Sequence, residues 1–434
     1  MATRGSAGRR PFFRGWLVIG AGFLIMATCY TTFINCMALF QPSMVEDLDI
    51  TMSQYNFSRS ISTLMSIAGA AGIGMLADRL SSRMLGSLAV LVTSLILVGL
   101  SLITKVWQLY ALIALSGVVV AAGTRLLISL VSANWFTAKR GLAISIALSG
   151  SGFGGAILSP IASALIVDFG WRPALRILAL VCFVASFPMT VLFFHTRPSD
   201  VGLRPYGEET EEEHAQAHGN PHAHTHDGPG WQVVRRLPSF WLLAGAFVLM
   251  GLINMAVLGN QVTNMTGVTV NGTRIVTGGH DPIWAGSVMS LYMATVVVAK
   301  ISLGLVYDRF GLRIGNVIGS VACIVASVAL CFPATDAGPV IAAVAFGIGT
   351  CMGTVAPTVA ASRLYGMRDL GKVSGWITSL EMAGGVVGAL ISGTLFDAAH
   401  SFAPVWVICA VSSTLMLVGL LAAERSAAAV GGAD

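Results

Sequence analysis

Charge is what this sequence has least of. Only 10% of its 434 residues are Asp, Glu, Lys or Arg, against 55% hydrophobic, and the mean hydropathy is +0.79. Soluble domains carry about 25% charged residues, so a water-soluble globule of this size is excluded. Cysteine is present without a pattern. The seven (Cys29, Cys36, Cys182, Cys323, Cys331, Cys351, Cys409) lie within apolar runs and lack metal-ligand spacing, so they read as small hydrophobes, with no metal site or disulfide framework expected. No nucleophile, nucleotide-binding or cofactor motif rises above chance, which leaves no enzyme and no cofactor to expect. The net charge of +5 carries no nucleic-acid reading either, because Lys and Arg sit in short turns between apolar runs. Arg4, Arg9 and Arg10 precede an apolar stretch, 16–40, that is too long for a signal-peptide core and is followed by no Ala-x-Ala cleavage site.

What is present is length of apolar chain. A bilayer core of about 30 Å takes roughly 20 apolar residues per helix. Twelve such runs are predicted, near 14–40, 53–77, 84–104, 107–132, 140–167, 173–194, 239–262, 283–307, 313–333, 338–362, 371–397 and 402–423. Twelve crossings put both termini on one side. With that side cytoplasmic, eighteen of the 25 Lys and Arg fall in cytoplasmic segments; four (Lys105, Arg172, Arg176, Arg274) fall outside, and Arg59, Arg125 and Lys300 lie within spans. The positive-inside rule therefore predicts cytoplasmic termini in a plasma membrane, with lipid as the surroundings and a monomer as the unit.

The apolar pattern breaks once at length. Residues 195–238 hold an acidic run, Glu208–Glu213, then His214, His218, His222, His224 and His226, and divide the chain into halves 1–194 and 239–434. Five His invite a metal or a pH response, but their irregular spacing favours a solvated tether. On the other side, 268–276 places Asn271-Gly272 between alternating β-formers, the signal for a two-residue hairpin that serves either as a lid or as a surface flap.

The halves repeat each other. Gly74-Met-Leu-Ala-Asp78-Arg79 recurs 230 positions later as Gly304-Leu-Val-Tyr-Asp308-Arg309, Gly117 and Gly123 recur at Gly347 and Gly353, and Gly154-Gly155 at Gly384-Gly385. Glycine lets helix backbones approach in lipid, so Gly74, Gly304 and the 150–155 cluster are expected to be packing surfaces. Duplicated six-helix halves with a site between them are a transporter architecture. The fold class expected is an all-α integral membrane protein: twelve transmembrane helices in two pseudo-symmetric six-helix bundles.

The paired turns resemble the signature loop of the major facilitator superfamily and its copy. In that resemblance Asp78, Arg79, Asp308 and Arg309 are gating residues, joined by charge-assisted bonds at the cytoplasmic helix ends. Arg14-Gly-Trp-Leu-Val, Asn134-Trp-Phe-Thr-Ala-Lys-Arg-Gly-Leu-Ala143 and Phe169-Gly-Trp-Arg-Pro-Ala174 are similar to the monocarboxylate transporters and oxalate/formate antiporters. The resemblance implies a carrier of small organic anions such as lactate, pyruvate, formate or oxalate, by proton symport or anion exchange. It also implies that Lys300, four residues before the signature glycine, meets the substrate carboxylate, at a position where those families more often have Arg. The oxalate carriers have a Lys in the eleventh helix where Glu381 is the nearest charge here; both departures point away from a dianion.

Charges inside spans stand out independently of any family. Arg125, Lys300 and Glu381 each lie eight or nine residues from a cytoplasmic helix end, which is about 12–14 Å at 1.5 Å per residue and close to the midplane. Their counterparts at the same offset, Val355, Ala70 and Ser151, are uncharged. Such residues face a cavity or a partner. Lys300 and Glu381 can neutralise each other, but one cation is left over, and an Arg that keeps its proton calls for an anion. Arg125 is thus the expected substrate clamp, Lys300 its assistant, and Glu381 the proton-coupling candidate, because burial and a nearby cation act on a carboxyl in opposite senses. Asn35, Asn254, Tyr292 and Thr358 are candidates to complete the cavity, each equally suited to an interhelical hydrogen bond. Arg59, near an outer helix end, is expected to snorkel to the interface as a structural residue. Two other functions remain open: a proton-driven exporter of hydrophobic or cationic compounds, which needs an acidic cavity, and a non-transporting membrane sensor signalling through the linker.

Overall fold

Residues 13–77, 81–136, 140–207, 229–270, 272–366 and 368–431 are described by a computed structural model. Twelve long helices follow the apolar runs: α1 (Gly15–Asp47), α2 (Met52–Ala77), α3 (Ser82–Leu100), α4 (Val106–Trp135), α5 (Arg140–Phe169), α6 (Trp171–Phe193), α7 (Pro238–Thr266), α8 (Pro282–Phe310), α9 (Leu312–Leu330), α10 (Ala337–Tyr365), α11 (Leu370–Ala399) and α12 (Ala403–Gly431). Eleven of them meet the length and hydropathy of a membrane span within the described residues. The remaining one, α2, has 26 residues and is about 39 Å long, enough to cross. Two ends outrun the sequence reading. The helix of α1 continues from 40 to Asp47 and that of α12 to Gly431, since a helix does not have to stop where hydrocarbon stops.

Polar signals set the turns. Ser81 accepts from Met84 N at 3.2 Å at the start of α3, and Asp281 accepts from Ile283 N at 2.9 Å ahead of Pro282 at the start of α8. Gly170 and Gly311, with φ of +81° and +89°, turn α5 into α6 and α8 into α9. Leu180, Val184, Val298, Ile301 and Leu305 are among the many large apolar side chains that face outward, as a lipid-facing surface requires.

The repeat is visible in the packing. Within the N-terminal half α1 lies on α5 and α2 on α4; within the C-terminal half α7 lies on α11 and α8 on α10. A Cβ on Gly117 would collide with the Ser62 carbonyl, and one on Gly347 would come 3.1 Å from the Tyr292 carbonyl; both members of the two pairs are 230 positions apart. Gly154 likewise presses on Ala27 of α1, and Gly384 on Val248 of α7. Gly304 departs from the expectation: a Cβ there would meet nothing within 4 Å, so it is not a packing glycine. The halves join along α5–α8 and α2–α11.

The motifs that pointed to a subfamily have structural work. Arg172 pairs with Asp47 at 2.7 Å and donates to the carbonyls of Ser101 and Ile103, tying three loops together. Asn134 and Trp135 donate to the carbonyls of Thr196 and His195, and Phe13, Trp16, Phe136 and Tyr206 form one aromatic cluster. The start of the 195–238 linker is therefore docked rather than a free tether. Its far end is docked too: Trp231 N donates to Asp369 at 2.8 Å, and its ring stacks on Trp376. The acidic run and the five His lie outside the described residues. The hairpin forms as expected, with β1 (Val268–Val270) pairing antiparallel to β2 (Thr273–Ile275). Val268 is 1% exposed and packs with the distal part of α1, so the hairpin is a lid over the helix ends and not a loose flap.

Candidate functional site

Helical periodicity carries two of the three deep charges, Lys300 and Glu381, away from lipid, while Arg125 is exposed in this structure. On α8, Lys300 lies about 200° around the helix from Val298, which is 64% exposed and marks the lipid face. On α11, Glu381 stands about 160° from Ala383, on the exposed stripe that includes Val387. On α4, Arg125 falls within a π turn, Ala122–Leu126, where the extra residue re-aims the side chains that follow; such turns gather at functional sites. The charge of Arg125 acts on both Lys300 and Glu381, so side chains from three helices and both halves share one site.

They share it without neutralising one another. The ion pairs among the described residues are Arg172–Asp47, His280–Asp336, Arg363–Asp308 and Lys372–Asp369, and none includes Arg125, Lys300 or Glu381. The Lys300–Glu381 pair that the sequence allowed is not formed within 4 Å. Glu381 instead accepts from Asn254 Nδ2 at 3.3 Å, and Asn254 Oδ1 accepts from Thr350 at 2.8 Å, a polar chain across α11, α7 and α10. Gly353 makes room for it: an added Cβ would lie 2.5 Å from Glu381 Oε1.

The other candidates separate. Asn254 belongs to the site as the holder of Glu381. Tyr292 is 4% exposed, stacks on Phe346 and lies beside Thr350, at the edge of the chain. Asn35 donates to the Ser151 carbonyl at 3.3 Å, an interhelical bond that joins α1 to α5 next to the same bond from Thr31. Thr358 is exposed and continues the Thr350–Thr354 stripe about 12 Å toward the termini, away from Glu381. Among the gating residues, Asp308 meets Arg363 of α10 at 3.8 Å, and Arg309 lies over the Phe310 ring; Asp78 and Arg79 are outside the described residues. Sequence reading missed Thr350, which resembles any span threonine until α7 is seen beside it. It also misplaced Arg59. That side chain does not snorkel; it points inward toward Gly259 of α7, with its Nε sealed and unpartnered.

With the geometry in place, comparison with known proteins settles the lineage. The Major Facilitator Superfamily model matches residues 21–279 and 266–431. The chain belongs to the Major Facilitator Superfamily. By family and by its membrane-length helices, this major facilitator protein is a multi-pass membrane protein. Its curated relatives include the human Monocarboxylate transporter 12, 29% identical over 42% of this chain and 37% of that protein, and the Riboflavin transporter RibJ of Trypanosoma brucei brucei, 26% identical over 39% of this chain and 31% of that one. The chain thus matches about a third of the length of those relatives. Its fold superposes on the nucleoside transporter NupG with a TM-score of 0.69 at 13% identity, covering 95% of this chain and 99% of that one. On a bacterial homolog of the lysosomal transporter Spinster the TM-score is 0.65 at 14% identity, covering 97% and 96%.

Proposed function

We propose that this major facilitator protein carries a small organic monoanion, such as lactate, pyruvate or formate, across the plasma membrane by alternating access, with both termini cytoplasmic. The observation that carries the reading is the unpaired state of Arg125 and Lys300 around one midplane site. Two cations against one carboxylate leave a charge of +1; Arg125 is open to a ligand and Lys300 is half-buried, and a cation within a span without a counter-ion is costly until an anion arrives. A carboxylate supplies that counter-ion and fits the guanidinium fork. An exporter of cations is disfavoured by the same count, and a neutral solute leaves the excess charge uncompensated.

Glu381 supplies coupling in this reading. One proton on Glu381 and one monoanion on Arg125 enter together without changing the net charge of the site, so symport is electrostatically balanced. Asn254 and Thr350 hold the carboxyl in place in either protonation state, because an amide both donates and accepts. Uptake of radiolabelled lactate, pyruvate and formate into proteoliposomes, with and without an imposed pH gradient, tests the proposal. Saturable uptake of at least one acid is expected, enhanced by an acidic exterior; absence of transport of every carboxylate overturns it.

A further inference from the structure

Arg59 is a third cation within the spans that has no acid beside it, and it is half-buried. It sits seven residues into α2, about 10 Å below that helix end, whereas Arg125 is nineteen residues into α4, about 28 Å below the same end of the bundle. Between them runs a cavity of about 50 Å³. Its walls carry Ser58, Ser62, Thr63, Ser66 and Ser116, with Met255 of α7 reaching in from the other half. The guanidinium enters this space, its Nε sealed from solvent with no hydrogen-bond partner, and Gly259 gives it clearance across the half interface, since a Cβ there would come 3.4 Å from Nε. Among the described residues no carboxylate lies within 4 Å of Arg59.

A structural arginine would be satisfied by carbonyls or an acid, as Arg172 is. Arg59 has open space instead; the hydroxyls of Ser58, Thr63, Ser66 and Ser116 donate to backbone carbonyls, so the guanidinium is the donor that the cavity offers an anion. At roughly 10–15 Å³ per water the cavity holds about three to five waters, or the head of a small acid, and nothing of heterocycle size. The cavity begins just below the Gln41–Asn56–Asn260 contact between halves and ends at Val120, five residues before Arg125. We propose that Arg59 and this cavity form a second anion subsite, which holds a small carboxylate on its way between the distal face and Arg125. The ligand class rests on the transport reading above; the subsite itself rests on Arg59.

Purified wild-type protein, Arg59→Gln, Arg125→Ala and the double variant, each checked for monodisperse elution, are titrated with formate and separately with chloride while thermal unfolding is followed. Proteoliposome uptake from the distal face is measured alongside. The proposal expects Arg125→Ala to keep stabilisation by formate that the double variant loses. It also expects Arg59→Gln to raise the distal-side KM by roughly tenfold, the worth of a charge-assisted hydrogen bond. Ser62→Leu, which fills the cavity and leaves the charge, should raise the same KM and keeps the test alive if Arg59→Gln does not fold. Unchanged KM and unchanged stabilisation on removal or blocking of the site overturn the subsite. Arg59-dependent stabilisation by chloride in a protein that transports no carboxylate would overturn the transport reading and leave the subsite standing, with an inorganic anion as its ligand.

Discussion

Replacing Arg125 by alanine removes the fork without breaking an ion pair, because the exposed side chain pairs with no acid among the described residues. Expected are substrate-induced thermal stabilisation reduced to the part that Arg59 supplies and a fall in uptake of at least about tenfold; undiminished stabilisation would make the arginine structural. Glu381→Gln keeps the bond to Asn254 and cannot release a proton. It should leave carboxylate exchange intact while abolishing accumulation driven by a pH gradient, and persistent accumulation would remove Glu381 from coupling. Gly353→Ala tests the same carboxyl from behind. The new methyl would lie 2.5 Å from Oε1, so the carboxyl must move off Asn254, and pH-driven accumulation should drop while the fold, assayed by thermal unfolding, changes little. Arg125, Lys300 and Glu381 were legible in the sequence because a charge in a span has few explanations. Arg59 carries the same signal but sits seven residues from a helix end, where snorkelling and burial give one pattern in sequence, and only the inward direction of its side chain separates them. Asn35 shows the opposite confusion: a polar residue in a span that bonds a neighbouring backbone carbonyl reads the same as a ligand.

At the scale of helices, the boundaries followed hydropathy to within about a turn except at the ends of α1 and α12, which run about two turns further, since lipid leaves an apolar backbone little choice but helix. The irregular turns did not. Met26–Tyr30, Thr32–Cys36 and Ala122–Leu126 are π turns in α1 and α4, while their equivalents α7 and α10 are α-helical throughout, so the halves differ in backbone as well as in charge. Propensity does not encode an extra residue in a turn; packing against α5 and α2 does. The linker is a second case, where a polar composition read as solvated and both described ends proved docked. Asp369 anchors the far end: the Trp231 N–H, and then Lys372, hold its carboxyl below the ordinary range. A lowered carboxyl pKa contributes stability above the unfolded value of about 3.9 and loses it as pH falls through the folded one, so the strap is fully formed at neutral pH. Asp369→Ala should therefore loosen it at pH 7, read as faster tryptic cleavage after the exposed Arg235 and Arg236. An unchanged rate would show that the Trp231–Trp376 stack suffices.

Alternating access requires the two bundles to hold and release each other at opposite ends, and the hydrogen bonds between halves show which end holds in this structure. Gln41 of α1 and Asn56 of α2 both donate to Asn260 Oδ1 on α7, at 3.2 and 3.0 Å, and Thr263 donates to Gln41 at 2.8 Å. All four are buried. Nearby, Asp397 of α11 accepts from Met52 N and Ser53 N at the start of α2. These contacts lie at the end opposite the termini, beneath the β1–β2 lid, so the distal end is closed. Asn260 is the joint of the cluster, because its amide oxygen takes a donor from each of two N-half helices. Asn260→Leu removes both bonds and leaves Gln41 and Asn56 facing a side chain that cannot pair with them. At about 0.6–1 kcal/mol for each interhelical bond in a membrane, the loss is about 1–2 kcal/mol, a roughly 5- to 30-fold shift in the ratio of conformers away from distal closure. Spin labels on the distal ends of α1 and α7 should report a larger population of the long distance in Asn260→Leu than in wild type. A distance distribution unchanged by the substitution would mean that the lid and Asp397 close the distal end without this cluster.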